Sequence, residues 1–364
     1  MRESNAIDFW RGFALVSIFV NHVPGNFYAR FTHANVSLSD AAELFVFLAG
    51  WAIGLATRGR EGRDPPGRVV LRLASRMIEV YRAQITITAI ALAMIAGAAL
   101  VFNNPLFLEW HNAGPAFSDP LQTTIGWVLL THQLGYFNIL PLYVVLLALA
   151  PGFVLLARLN RKAALVLSIA IWAESLAFEI NLRTWPVEGR WFFNPFAWQL
   201  LLVLGFLCSE WSRDSAAFVR WTKRLMPLGV VGVAVGAVVV VRDIRPDPLL
   251  VPEPRLFFVF NKSNLSPARL LHFLALVLAF QGVYRLIAPW IPRLAAQLSA
   301  MGRNSLAVFS IGSIVSLAGQ LVRFRFGGGI IIDTLIVVSG NACLVFTAWF
   351  VEWRSRSRRS SRSA

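Results

Sequence analysis

The sequence predicts an all-α, polytopic membrane bundle of about ten transmembrane helices with both termini in the cytoplasm. Three observations predict it. Hydrophobic residues make up 57% of the 364 and charged residues only 15%, with a mean hydropathy of +0.61, a balance far from a soluble domain. Apolar stretches of bilayer length, about 20 residues, recur at 7–27, 40–57, 83–102, 136–157, 163–181, 196–211, 225–241, 269–287, 304–322 and 330–351. Most of the 34 Lys and Arg fall on alternate connecting segments, which orients the bundle by the positive-inside rule.

The first stretch runs from Ile7 to His22 and on to 27. Asp8 and Arg11 interrupt its early apolar run and no small-x-small cleavage site follows, so it is expected to remain as a span rather than leave as a signal peptide. The second begins Ser39-Asp40-Ala41-Ala42-Glu43. A basic segment then leads to the third. The apolar segment 121–134 is too short to cross and reads as an interfacial or re-entrant helix. Pro141 and Pro151 mark positions where the fourth span can kink. Asn194-Pro195 opens the sixth as a helix start, with Asn as N-cap and Pro at N1. Gly327-Gly328-Gly329 reads as a tight outer turn between the last two spans. Residues 1–352 thus form one transmembrane domain. Residues 353–364 are a basic run, expected to be disordered and to lie against anionic headgroups.

The net charge of +15 would point to nucleic acid in a soluble protein. Here the basic residues sit in short loops between apolar spans, so topology and anionic lipid account for them and no nucleic-acid partner is expected. Cys208 and Cys343 lie in apolar runs and read as packed core residues. No Cys/His cluster has metal-ligand spacing, so no metal is expected. The nucleophile-elbow, zinc-protease, Walker and dinucleotide fingerprints are absent from the sequence.

An ionisable group inside a bilayer costs several kcal/mol, so each one marks a candidate site. Arg11 and His22 are eleven residues apart, close to three turns, and share one helix face about 16 Å apart along the axis. Asp8, one turn before Arg11, can neutralise it. Glu43 lies a few residues inside the next span at a depth matching His22, and Asp40 lies one turn before it. A carboxylate on one ring nitrogen raises the basicity of the other, so His22 with Glu43 or Asp40 suits a general base. The same residues would also serve as interhelical hydrogen bonds.

Arg68, Arg72 and Arg76 recur every four residues and form a cationic stripe, continued by Glu79 and Arg82. Several fixed guanidiniums suit a phosphate-rich ligand such as coenzyme A; the plainer account is positive-inside topology. Trp191, Asn194, Trp198 and Gln199 combine ring faces with amides at the outer interface, as a sugar platform or an aromatic belt does. Glu174, Glu179, His132, His272, Gln281 and Asn304 are further polar residues in or beside apolar stretches, and Glu174 has no evident partner in the pattern.

The stretch Asp8-Phe9-Trp10-Arg11-Gly12-Phe13-Ala14-Leu15, His22 and Ser39 to Gly50 resemble the OpgC family. So do Arg76-Met77-Ile78-Glu79-Val80-Tyr81, Asn138 to Val144, and Trp191 to Gln199. The family belongs to the wider group of membrane acyltransferases that includes the acyltransferase type 3 proteins. The resemblance implies a ten-helix bacterial inner-membrane enzyme that moves an acyl group, succinyl in OpgC itself, from cytoplasmic acyl-CoA to hydroxyls of an osmoregulated periplasmic glucan. It implies that His22 is the catalytic histidine, Arg11 the membrane arginine and Arg76 a basic residue on the acyl-CoA side. Gln84 stands where the resemblance leads one to expect His. A transporter or flippase for a glycan or anionic solute is the alternative, and a scaffold in a glucan-synthesising complex a third reading. The acyl group, a covalent acyl-enzyme and oligomerisation are left open.

Overall fold

The computed structural model describes residues 4–58 and 64–363, with 358–363 in their backbone alone. Among them the helices are α1 (Ala6–Asn21), α2 (Ala41–Ala56), α3 (Pro66–Val101), α4 (Gly114–Ser118), α5 (Pro120–Val128), α6 (Ile139–Leu159) and α7 (Arg161–Ala177). After a two-stranded antiparallel hairpin, Arg183–Thr184 with Gly189–Arg190, come α8 (Pro195–Asp214), α9 (Ala216–Val241), α10 (Pro267–Phe280), α11 (Val283–Ile287), α12 (Pro292–Arg303), α13 (Ser305–Phe326) and α14 (Ile330–Ser363).

Local chemistry sets most helix starts, because the first N–H groups of a helix need acceptors. Asn5 caps α1 through Asp8 N–H. Asp40 and Glu43 form a reciprocal capping box on α2. Asn160 caps α7, and Asn194 caps α8 with Pro195 in its first turn, as expected. The first helix stops at Asn21, short of 27, because the chain turns through His22, Val23, Pro24 and Gly25. Gly25 adopts φ +73°, a left-handed conformation that glycine takes without strain.

All ten expected stretches are largely helical, yet six helices among the described residues are long and apolar enough to cross a membrane. These are α3, α6, α9, the run Pro267–Ile287, α13 and α14. The others fall short for visible reasons: α1 and α2 have 16 residues each, α7 has 17, and α8 ends in Glu210, Arg213 and Asp214. The short apolar segment at 121–134 is α5 plus a loop. Pro151 lies within α6. The basic run expected to be disordered instead continues the last helix to Ser363. The amphipathic helix α12 stands where no span was expected.

The chain divides into two compact units. The first comprises residues 1–35, 87–107 and 282–364; the second comprises 36–86 and 108–281, so α3 contributes to both. In the first, α1 packs along α12 and α13 against α14. In the second, α2 lies along α8 and α9 along α10. The α2–α8 crossing is close because both helices present glycine: a Cβ on Gly50 would sit 1.9 Å from the Leu202 carbonyl oxygen, and one on Gly205 would meet the Phe47 carbonyl at the same distance. Small residues at such crossings let membrane helices reach van der Waals contact.

Candidate active site

In the first unit, α1 holds the Asp8, Arg11 and His22 predicted from the sequence. Asn5 donates to Asp8 at 2.7 Å, and Asp8 lies 4.0 Å from Arg11. Arg11 donates to Ser305 Oγ at the start of α13. The helix is unbroken from Ala6 to Asn21 and His22 is its C-cap, so the eleven-residue spacing keeps its helical phase.

The backbone around His22 is tied down from several sides. Its N–H bonds Ile18 O at 2.9 Å, and its carbonyl accepts from Gln320 Nε2 of α13 at 2.6 Å. Asn26 donates to the carbonyls of Val20 and Val23. Arg323 donates to the carbonyls of Pro24 and Gly25 while its Nε bonds Asp333 at 2.6 Å. These contacts fix the chain on which a catalytic imidazole would sit, and fixed geometry is what proton transfer requires.

In the second unit, the start of α2 is a polar cluster. Glu43 is fully buried. One of its oxygens accepts from Arg269 Nε of α10 at 2.9 Å, and the other from the Asp40 N–H at 3.0 Å. Asp40 accepts from Ala42 N–H, pairs with Lys262 and lies 3.6 Å from Arg269. Just before it, Ser39 Oγ is 3.0 Å from His272 Nδ1. Within its own unit Glu43 is a capping residue of α2 and the counter-ion of Arg269. Arg269 and Lys262 escaped the sequence reading, which named His272 only as a polar residue of an apolar stretch. An arginine in the first turn of an apolar helix was the available signal, since it needs a carboxylate somewhere.

The basic stripe on α3 is latched by acids. Arg72 donates to Asp64 and to the Ala56 carbonyl, Arg68 lies 3.5 Å from Asp64, and Arg76 pairs with Glu79 at 2.7 Å. Arg82 is exposed one turn on. Gln84, where the resemblance led one to expect His, is buried.

The predicted sugar platform points inward. Asn194 is fully buried; its amide donates to Ile180 O at 2.7 Å and Asn264 Oδ1 at 2.9 Å. Trp198 donates to the carbonyls of Lys262 and Ser263. Gln199 accepts from Ser168 Oγ at 2.6 Å and donates to Ser168 O at 2.8 Å. Trp191 is buried, with an indole N–H that has no hydrogen-bond partner among the described residues. Exposed ring surface here belongs to Phe192, over which Lys262 Nζ lies 5.9 Å from the centroid.

The model of the family described as OpgC protein matches residues 2–356. The chain belongs to the OpgC family. No curated protein and no solved structure matches it. This OpgC-family chain is therefore a multi-pass membrane protein of osmoregulated periplasmic glucan biosynthesis, with the acyltransferase-type role that the family name carries. Among the described residues no group of His, Cys, Asp and Glu is arranged to hold a metal ion.

Proposed function

We propose that this OpgC-family protein is an inner-membrane O-acyltransferase with ten spans and cytoplasmic termini, moving an acyl group, with succinyl favoured, from acyl-CoA to hydroxyls of a periplasmic glucan. The family match over residues 2–356 carries this reading. His22 takes the proton of a sugar hydroxyl; the alkoxide oxygen bonds to the thioester carbonyl carbon. The carbon–sulfur bond then breaks, and the departing CoA thiolate recovers the proton from the imidazolium. Arg11, held by Asp8 and Ser305, offers positive charge where negative charge develops. Asp40 and Glu43 shape the start of α2 by fixing Arg269 and Lys262. Arg72, Arg76, Glu79 and Arg82 line the donor side. Trp191, Asn194, Trp198 and Gln199 form the acceptor side, where the Trp191 indole N–H is the donor left uncommitted among the described residues.

The test is transfer from labelled succinyl-CoA to periplasmic glucan by purified full-length protein. Wild type is expected to label the glucan and His22→Ala to lose nearly all transfer. An inactive wild type would overturn the reaction, and a fully active His22→Ala the role of that residue.

A further inference from the structure

The second unit contains a cavity of about 260 Å³ where the ends of α2, α6, α7 and α8 converge. Arg58, Arg158, Arg161, Glu210 and Asp214 line it beside Thr57, with Val154 and Phe206 as apolar wall. Charge bias assigns these ends to the cytoplasm. Arg161 Nη2 donates to Glu210 at 3.1 Å and also to Asp214, and Arg58 lies 3.9 Å from Asp214. Arg158 donates to the carbonyls of Asp64 at 2.5 Å and Thr57 at 2.9 Å. The hydrogen bond from Arg161 holds the Asp214 carboxyl below its ordinary value of 3.8, so it is ionised.

Three guanidiniums thus face two carboxylates, and the cavity keeps an excess of positive charge. Arg158 is anchored on the backbone of Asp64, whose side chain latches Arg68 and Arg72, so the cavity and the predicted stripe share one frame. Planar guanidiniums held in place match phosphate oxygens in pairs, and apolar walls strengthen the attraction. The volume is below the roughly 300–1,000 Å³ of a pocket that swallows a whole small molecule. It suits one end of a larger one.

We propose that this cavity binds the phosphate end of a ligand, with Asp214 and Glu210 serving as internal counter-ions of Arg161 that the bound phosphate displaces. Two sources share this chemistry: the phosphates of the acyl donor, which rests on the acyl-CoA reading above, and the headgroup of an anionic lipid. In the first case the donor's phosphates enter the cavity beside Arg72, which shares Asp64 with Arg158.

The test measures binding, independent of turnover, to purified full-length protein in detergent. Probes are CoA, pantetheine (which lacks phosphate), inorganic pyrophosphate, and mixed micelles of phosphatidylglycerol or phosphatidylcholine. Arg58→Ala, at an exposed position, is expected to weaken CoA and pyrophosphate binding about tenfold, in line with loss of one charged hydrogen bond. Asp214→Asn is expected to tighten both, because a competing carboxylate is removed; a purely structural role would lower thermal stability without tightening anything. If phosphatidylglycerol but not CoA binds in an Arg58-dependent way, the phosphate site stands with lipid as its source, and the acyl-CoA reading of it falls. CoA binding no tighter than pantetheine, with no Arg58-dependent response to phosphatidylglycerol, overturns the proposal. So does phosphate affinity unchanged in both Arg58→Ala and Asp214→Asn. An inactive wild type that still shows Arg58-dependent pyrophosphate binding would separate failure of the transferase reading from failure of this one.

Discussion

Arg269 of α10 donates through Nε to the fully buried carboxylate of Glu43 at 2.9 Å, joining the start of α2 to a helix 226 residues later in sequence. Removing one member of a buried pair strands the other charge, at a cost of about 3–5 kcal/mol. Arg269→Ala and Glu43→Ala are each expected to lower stability by that order in detergent. Glu43→Gln, which keeps one acceptor oxygen, enough for either the Asp40 N–H or Arg269 but not for both, should cost less than Glu43→Ala. A double-mutant cycle on thermal unfolding checks this, and additive losses would show that the two residues act independently.

Close approach of α2 and α8 sets a second expectation. A methyl on Gly50 or Gly205 would press on backbone carbonyls that cannot move aside without separating the helices. Gly50→Ala and Gly205→Ala are therefore expected to cost at least the roughly 1–3 kcal/mol typical of overpacking. Gly97→Ala in α3, with nothing within 4 Å of the added carbon, should be neutral or mildly stabilising. The comparison is one of unfolding temperatures in the same detergent.

Asn194, itself fully buried, combines a helix cap with part-buried bonds to Ile180 and Asn264. Losing the cap costs about 1 kcal/mol, and each of the two part-buried hydrogen bonds lost adds about 0.5–1.5 kcal/mol. Asn194→Ala is expected to lower the unfolding temperature clearly. An unchanged unfolding temperature with a raised KM for glucan would instead mark Asn194 as a sugar-reading residue.

His132 lies in the loop after α5, buried, with its pKa depressed from 6.5 by desolvation against a smaller opposing bond to the Asn112 backbone. The unfolded chain therefore takes up this proton first as pH falls. Stability is expected to be level above about pH 7 and to decline as pH drops through 6.5 towards the depressed value. His132→Gln should flatten that part of the profile, measured as unfolding temperature from pH 8 to pH 5.

Much of this molecule was legible in its sequence, because the properties concerned are local. Composition and hydropathy determined the membrane class. Asn194-Pro195 and the Asp40–Glu43 pair determined helix starts, since a cap bonds N–H groups two or three residues away. The motifs from Asp8 to Gln199 determined the family. Helical phase also assigned Arg11 and His22 to one face. What phase does not specify is which helix lies opposite that face. Only the tertiary structure decided that Arg11 meets Ser305 and that Gln320 holds the His22 carbonyl. It also turned the Asn194 and Gln199 amides inward onto backbone and Ser168. The physical reason is that a buried polar group must find a partner wherever the packing brings one, and for Glu43 that partner is an arginine two hundred residues away that no local pattern names.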